Sequence, residues 1–144
     1  MQEEIVTFKT AKLAKGKGFE NKTPHKLRRD YYNHLGVLNG DVTEYIKAYV
    51  AKENTEKYNT IDAPTQSLLQ KWLREKHKIN VESNFLPNIE KYSCFYLPMN
   101  LPKPNSHKNK FDAYKSLKNY LSKTRHDTYE EALEKGLQEA LLLI

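Results

Sequence analysis

Cysteine is nearly absent from this chain, with Cys94 the only one in 144 residues. A single thiol excludes an internal disulfide and any cysteine-built zinc site from this chain alone, and it suits a reducing compartment. Glycine is scarce too, at five residues. None of the five stands in a dinucleotide fingerprint, a phosphate-binding loop or a GxSxG elbow. No apolar run approaches the roughly 18 residues of a membrane span. The first ten residues carry Glu3 and Glu4, where a signal peptide would be basic and then apolar. These absences lead us to expect a soluble, cytoplasmic protein with no membrane contact and no metal or other cofactor.

Positive charge is plentiful and unevenly spread. The net charge is +6, from 24 Lys and Arg against 18 Asp and Glu. Lys9 to Arg29 holds eight basic residues against Glu20 alone, and Lys103 to Arg125 holds seven against Asp112 alone. The remainder is net acidic, notably the tail, where Asp127, Glu130, Glu131, Glu134 and Glu139 face only Lys135. Such a distribution predicts one or two basic faces able to meet an anionic macromolecule. The hydrophobic share of 38% and the aromatic share of 11% exclude wholesale disorder.

The pattern is clearest between Ala63 and Phe85. Leu68, Leu69, Trp72 and Leu73 recur at helical spacing, and Pro64 suits a first helical turn because its missing amide has no helical partner there. Lys76, His77 and Lys78 suit the negative end of the helix dipole. From Ile79 the period becomes two, with Ile79, Val81, Ser83 and Phe85 on one face. A second alternating run, Lys91 to Leu97, puts Tyr92, Cys94 and Tyr96 together, and the two runs predict an antiparallel hairpin.

Elsewhere, Thr7 is placed to cap a helix over Phe8 to Lys15, with Gly16 or Gly18 to end it. The aromatic and β-branched residues on either side of Asn33 to Gly36 predict a short hairpin. Val42 to Lys52 and Phe111 to Leu121 have helical spacing, the second with lysines around it. Pro98, Pro102 and Pro104 predict an internal loop over residues 98–105. Thr128 and Glu131 form a capping box for a last helix whose apolar stripe is Tyr129, Leu133, Leu137, Ala140, Leu141 and Ile144. Gly136 inside that stripe would permit close packing against a strand. The expectation is a single small α+β domain, 1–144, with a mainly antiparallel sheet packed by the Trp72-bearing helix and the C-terminal helix.

Three stretches, TAKLAKGKGF, APTQSLLQKWLREKH and TYEEALEKGLQEALLLI, resemble those of short uncharacterised proteins of bacteriophages and related bacterial mobile elements. The resemblance covers about a third of the chain and implies a biological setting, the cytoplasm of a bacterial host, with no activity or site residue to transfer. The order helix, two strands, C-terminal helix is also similar to that of double-stranded-RNA-binding domains. That family has lysines where this chain has Glu130 and Glu131, and carboxylates there occupy the position a phosphate would take, so the family is rejected as a template.

The residues point away from catalysis. His25, His34, His77, His107 and His126 are scattered, with no metal-ligand spacing among them. Cys94 sits inside a strand pattern, where a small buried hydrophobe is the ordinary reading. The expectation is therefore non-catalytic binding of an anionic macromolecule, nucleic acid first. The alternative is a protein-interaction or structural role in a phage or mobile element, with an acidic host or particle protein as partner. The candidate contacts are Lys26, Arg28, Arg29, Lys108, Lys110, Lys115 and Lys118, for charge neutralisation, with Tyr31 and Tyr32 to stack on bases.

Overall fold

Thr7 opens the first helix, its hydroxyl accepting a hydrogen bond from the Thr10 amide at 3.4 Å. The computed structural model describes residues 3–21, 30–40, 60–99 and 122–144. The expected helix over Val42 to Lys52, the basic helix over Phe111 to Leu121 and residues 100–105 of the proline-rich loop lie outside these. The architecture is α+β, with antiparallel sheets, and contacts cluster in two compact units, Met1–Leu68 and Leu69–Ile144.

In the first unit, α1 spans Phe8–Gly16 and buries Thr10, Ala11 and Ala14. Gly18, at φ +82°, follows its end. Three two-residue strands, β1 (Tyr31–Tyr32), β2 (Leu38–Asn39) and β3 (Ile61–Asp62), form an antiparallel sheet in the order β2-β1-β3. The turn between β1 and β2 is the expected hairpin. Asn33 organises it, since its side-chain oxygen accepts from the amides of Leu35 and Val37 at 2.9 and 3.0 Å. Gly36 is required there twice over. Its φ is +77°, and a Cβ would stand 2.9 Å from the Phe8 ring, which itself meets Tyr32 edge-on at 5.3 Å.

Strands this short cannot hold themselves together. The unit is fastened by hydrogen bonds between distant residues instead. Val6 donates its amide to the Pro64 carbonyl at 3.0 Å, and Gln66 donates to Glu4 at 2.8 Å. The Tyr32 hydroxyl donates to the Val6 carbonyl at 2.7 Å.

Helix α2 spans Gln66–His77. It starts two residues after Pro64, whose carbonyl is taken by Val6, and Thr65 receives the Leu68 amide at 3.3 Å in the manner of a cap. Leu69 and Leu73 are fully buried. Trp72 is only half-buried, its ring 4.5 Å from that of His77.

In the second unit, β4 (Ile79–Leu86) and β5 (Lys91–Pro98) pair antiparallel over their full length, with Ser83 opposite Cys94. β5 takes in Pro98, a residue placed by sequence in the loop. β5 is an edge strand of a two-stranded sheet, where proline is tolerated. Helix α3 spans Tyr129–Leu142 and packs Leu133, Gly136, Leu137, Ala140 and Leu141 inward. The Thr128 hydroxyl accepts from the Glu131 amide at 3.1 Å, while the Glu131 carboxylate reaches back to the Asp127 amide, one residue beyond the expected Thr128. Gly136 lies directly on the hairpin, where a Cβ would come within 2.9 Å of both Cys94 Cβ and Val81 Cγ1.

Gly136→Ala therefore sets a helix-propensity gain of about 1 kcal/mol against overpacking that costs about 1–3 kcal/mol. The facing atoms belong to packed strand residues that cannot swing away, so a lower melting temperature is expected. Thr128→Ala is expected to cost about 1 kcal/mol through loss of the cap. Thermal denaturation followed by circular dichroism measures both.

Candidate functional site

Charge and exposed rings are the two resources available, and the structure distributes them differently from the sequence expectation. Lys26, Arg28, Arg29, Lys108, Lys110, Lys115 and Lys118 lie outside the described residues. Tyr31 and Tyr32 are described, and they are only 4% and 8% exposed. β1 is the central strand of its sheet, and the Tyr32 ring packs against Phe8 with its hydroxyl bound to Val6. Stacking on bases by these two rings is therefore corrected: both are core residues of the first unit.

The basic character of the first unit is visible on α1. Thr10, Ala11 and Ala14 face inward, so Lys9, Lys12 and Lys15 fall on the solvent side, and no acidic residue interrupts the helix. Lys15 Nζ donates to the Thr60 carbonyl at 3.1 Å. Lys12 Nζ lies 5.6 Å from the Phe8 ring centroid, within range of a cation–π attraction. Lys9 and Lys12 make no ion pair among the described residues.

On α2, Lys71, Arg74 and Lys76 are all exposed, with Glu75 among them. Lys78 follows at φ +58°, its Nζ donating to the Glu75 carbonyl at 3.0 Å. In the sequence, Lys71 and Arg74 stand opposite the leucine stripe, whereas Lys76 and Lys78 stand at the carbonyl end of the helix dipole.

The second unit also carries a polar cluster along β5. Ser122, almost fully buried, donates its amide to the Cys94 carbonyl at 2.9 Å. Its hydroxyl meets Thr124 at 2.7 Å and Glu139 at 3.3 Å. Arg125 Nη1 donates to Ser93 Oγ at 3.2 Å and to the carbonyls of Ser122 and Thr124 at 2.9 and 3.0 Å. His126 exchanges both backbone hydrogen bonds with Tyr92. These bonds occupy the outer edge of β5, which would otherwise be open to another strand. Their work is structural.

Exposed rings gather at one end of the same unit. Phe85 and Tyr129 are 51% and 42% exposed, and Tyr92 lies between them, with centroids at 5.1 Å from Phe85 and 6.4 Å from Tyr129. The sequence placed Tyr129 in the buried stripe. It is the first residue of α3 and sits at the limit of what the hairpin can cover. Lys91 pairs with Asp127 beside these rings, and its hydrogen bond and charge hold the Asp127 carboxyl below the usual carboxylate range. Both partners are well exposed, so the pair contributes little to stability. What it does contribute is present above the ordinary carboxylate pKa and is lost as pH falls through the lowered value.

Among the described residues, no group of three or more His, Cys, Asp or Glu is placed to hold a metal ion. Burial pushes the Cys94 thiol above its ordinary value, with Glu139 adding to the rise and the Ser122 hydrogen bond opposing it. A thiol this protonated and this buried is a poor nucleophile. A disulfide-exchange thiol reagent at neutral pH is accordingly expected to label Cys94 only at the rate of unfolding, and fast stoichiometric labelling of the folded chain would contradict the burial. Comparison with protein-family models, curated proteins and solved structures gives no match to this chain.

Proposed function

We propose that this chain is a non-catalytic binding module for an anionic macromolecule, nucleic acid before an acidic protein. The observation that carries the reading is the solvent side of α1, where Lys9, Lys12 and Lys15 project from a helix without a single carboxylate. The helix leads directly into the rest of a basic stretch, Lys22 to Arg29. Three lysines spaced along one helix can each neutralise a phosphate and release a condensed counterion, which makes such binding strong at low salt and weak at high salt. The exposed Lys71, Arg74 and Lys76 of α2 add a second set of cations.

One observation favours the acidic-protein alternative. Burial of Tyr31 and Tyr32 removes the stacking rings that would have read unpaired bases, leaving a face whose attraction is charge alone. Charge alone suits an acidic protein surface as well as a phosphate backbone. In either case we place the chain as an accessory protein of a bacteriophage or related mobile element, acting in the cytoplasm of the bacterial host.

Binding of a mixed-sequence DNA or RNA probe, followed by fluorescence anisotropy across a salt series, tests the nucleic-acid reading. The slope of log affinity against log salt should fall by about 0.7–0.9 for each phosphate contact removed. Lys9→Gln/Lys12→Gln is therefore expected to flatten it by about 1.4–1.8 while leaving the melting temperature unchanged. Negligible affinity even at low ionic strength, with one protein partner retained after nuclease treatment, would transfer the assignment to the acidic protein.

A further inference from the structure

Four side chains on the β5 flank of the second unit are joined end to end. Ser122 Oγ donates to Glu139 Oε1 at 3.3 Å. The same hydroxyl meets Thr124 Oγ1 at 2.7 Å, and Thr124 Oγ1 meets His126 Nε2 at 2.9 Å. The Thr124 amide also donates to Ser122 Oγ, at 3.3 Å. The run therefore begins at a carboxylate on α3, passes through two hydroxyls and ends at an imidazole. Ser122 and His126 also tie this segment to β5 by their amides, at the Cys94 and Tyr92 carbonyls, and the Tyr92 amide answers at the His126 carbonyl.

A hydroxyl has one proton to give, and an ionised carboxylate can only accept. With Glu139 ionised, the Ser122 proton goes to it, so the proton between Ser122 and Thr124 comes from Thr124. Thr124 then has none left for His126, and the last contact requires a proton on Nε2. The neutral Nε2–H tautomer and the imidazolium both supply it, whereas the Nδ1–H tautomer would leave two lone pairs facing each other. All three bonds thus point towards Glu139. Protonating His126 strengthens the run by charging its donor. Protonating Glu139 weakens it by discharging its acceptor, since bonds to charged groups are about twice as strong as neutral ones.

We propose that Glu139, Ser122, Thr124 and His126 form a one-directional relay that latches the 122–126 segment onto β5 while Glu139 is ionised and loosens it in acid. On α3, Lys135 Nζ lies 3.5 Å from the Glu139 carboxylate. On β5, the Cys94 thiol lies against Ser122 and is kept protonated by burial, and Lys91 is engaged by Asp127. The segment itself carries Lys123, Arg125, whose guanidinium is held at Ser93 and at the Ser122 and Thr124 carbonyls, and Asp127, which interacts with His126 and whose amide donates to Glu131. Lysine and arginine keep their charge throughout the acid range, which leaves Asp127 and Glu131 as the carboxylates whose effects have to be separated from that of Glu139. Loosening would bare the backbone groups of β5 at Tyr92 and Cys94 to another strand. The device does not depend on the partner proposed for the lysines of α1.

Amide hydrogen exchange of the full chain, followed by NMR across a pH series and expressed as protection over the unstructured rate, tests this. The Ser122, Tyr92 and His126 amides report on the segment, and the amides that hold the β4–β5 ladder are the reference. Relative protection of the reporters is expected to hold as pH falls through the ordinary histidine range, because both the neutral tautomer and the imidazolium donate from Nε2. It should then drop about two- to tenfold through the ordinary carboxylate range, the equivalent of roughly one hydrogen bond, since a contribution that needs the ionised acid is present above that range and lost below it. Glu139→Gln, isosteric with the protonated acid, should show the lowered protection already at neutral pH and change no further in acid. Asp127→Asn and Glu131→Gln should keep the drop. Nitrogen NMR should find the proton of neutral His126 on Nε2. A drop already in the histidine range, a drop of unchanged size in Glu139→Gln, a drop removed by Asp127→Asn, or a neutral His126 protonated on Nδ1 would each overturn the proposal.

Discussion

A close approach of helix to hairpin in the second unit is made by a residue with no side chain. Gly136 brings the α3 backbone onto Val81 and Cys94 at a distance that a single methyl group would prevent. With the helix this near, Leu133, Leu137, Ala140 and Leu141 around that point are buried. A two-stranded hairpin is marginal on its own in water. Burial of this stripe, at about 25 cal/mol per Å² of apolar surface, is what makes the hairpin a stable platform. The same contact explains why the thiol of Cys94 is a packing element with no reactive role.

The edges of the hairpin are managed by different means. On the β4 side the Gln70 amide donates to the Val81 carbonyl at 2.8 Å, so a side chain from α2 occupies a group that would otherwise invite another strand. On the β5 side the Ser122–His126 segment takes up the strand's backbone groups at Tyr92 and Cys94, and Arg125 locks that segment by three donated bonds. Open sheet edges are an aggregation hazard, and here neither is left wholly bare.

Much of this was legible in the sequence, and the limits have physical causes. The β4–β5 register and its two faces follow from strict alternation, because a one-residue slip would turn Ile79 and Val81 to solvent. The Thr7 and Thr128 caps and the Asn33–Gly36 turn are written in local chemistry. What could not be read is how far a neighbour extends. Tyr129 continues the apolar stripe of α3 yet stays half exposed because it is the first residue of the helix. Trp72 belongs to the stripe of α2, but Leu69 and Leu73 take the buried positions. Tyr31 and Tyr32 follow a basic stretch and invite a surface reading. Their burial depends on α1 and on the backbone of Val6, twenty-six residues before Tyr32, and no local pattern encodes that. Charge could be counted from the sequence, while exposure of the rings needed the folded chain.

Lys78 is the sole residue between α2 and β4, and it turns the chain in the left-handed region, which costs a non-glycine residue about 1–2 kcal/mol. Its carbonyl is taken by the Met99 amide at 2.7 Å, which ties the corner to the end of the opposite strand. With no slack at this junction, the last turn of α2 cannot fray without unzipping the Ile79–Pro98 end of the ladder. Their amides should then exchange with solvent in one cooperative opening event, whereas the Pro87–Glu90 turn at the far end opens independently.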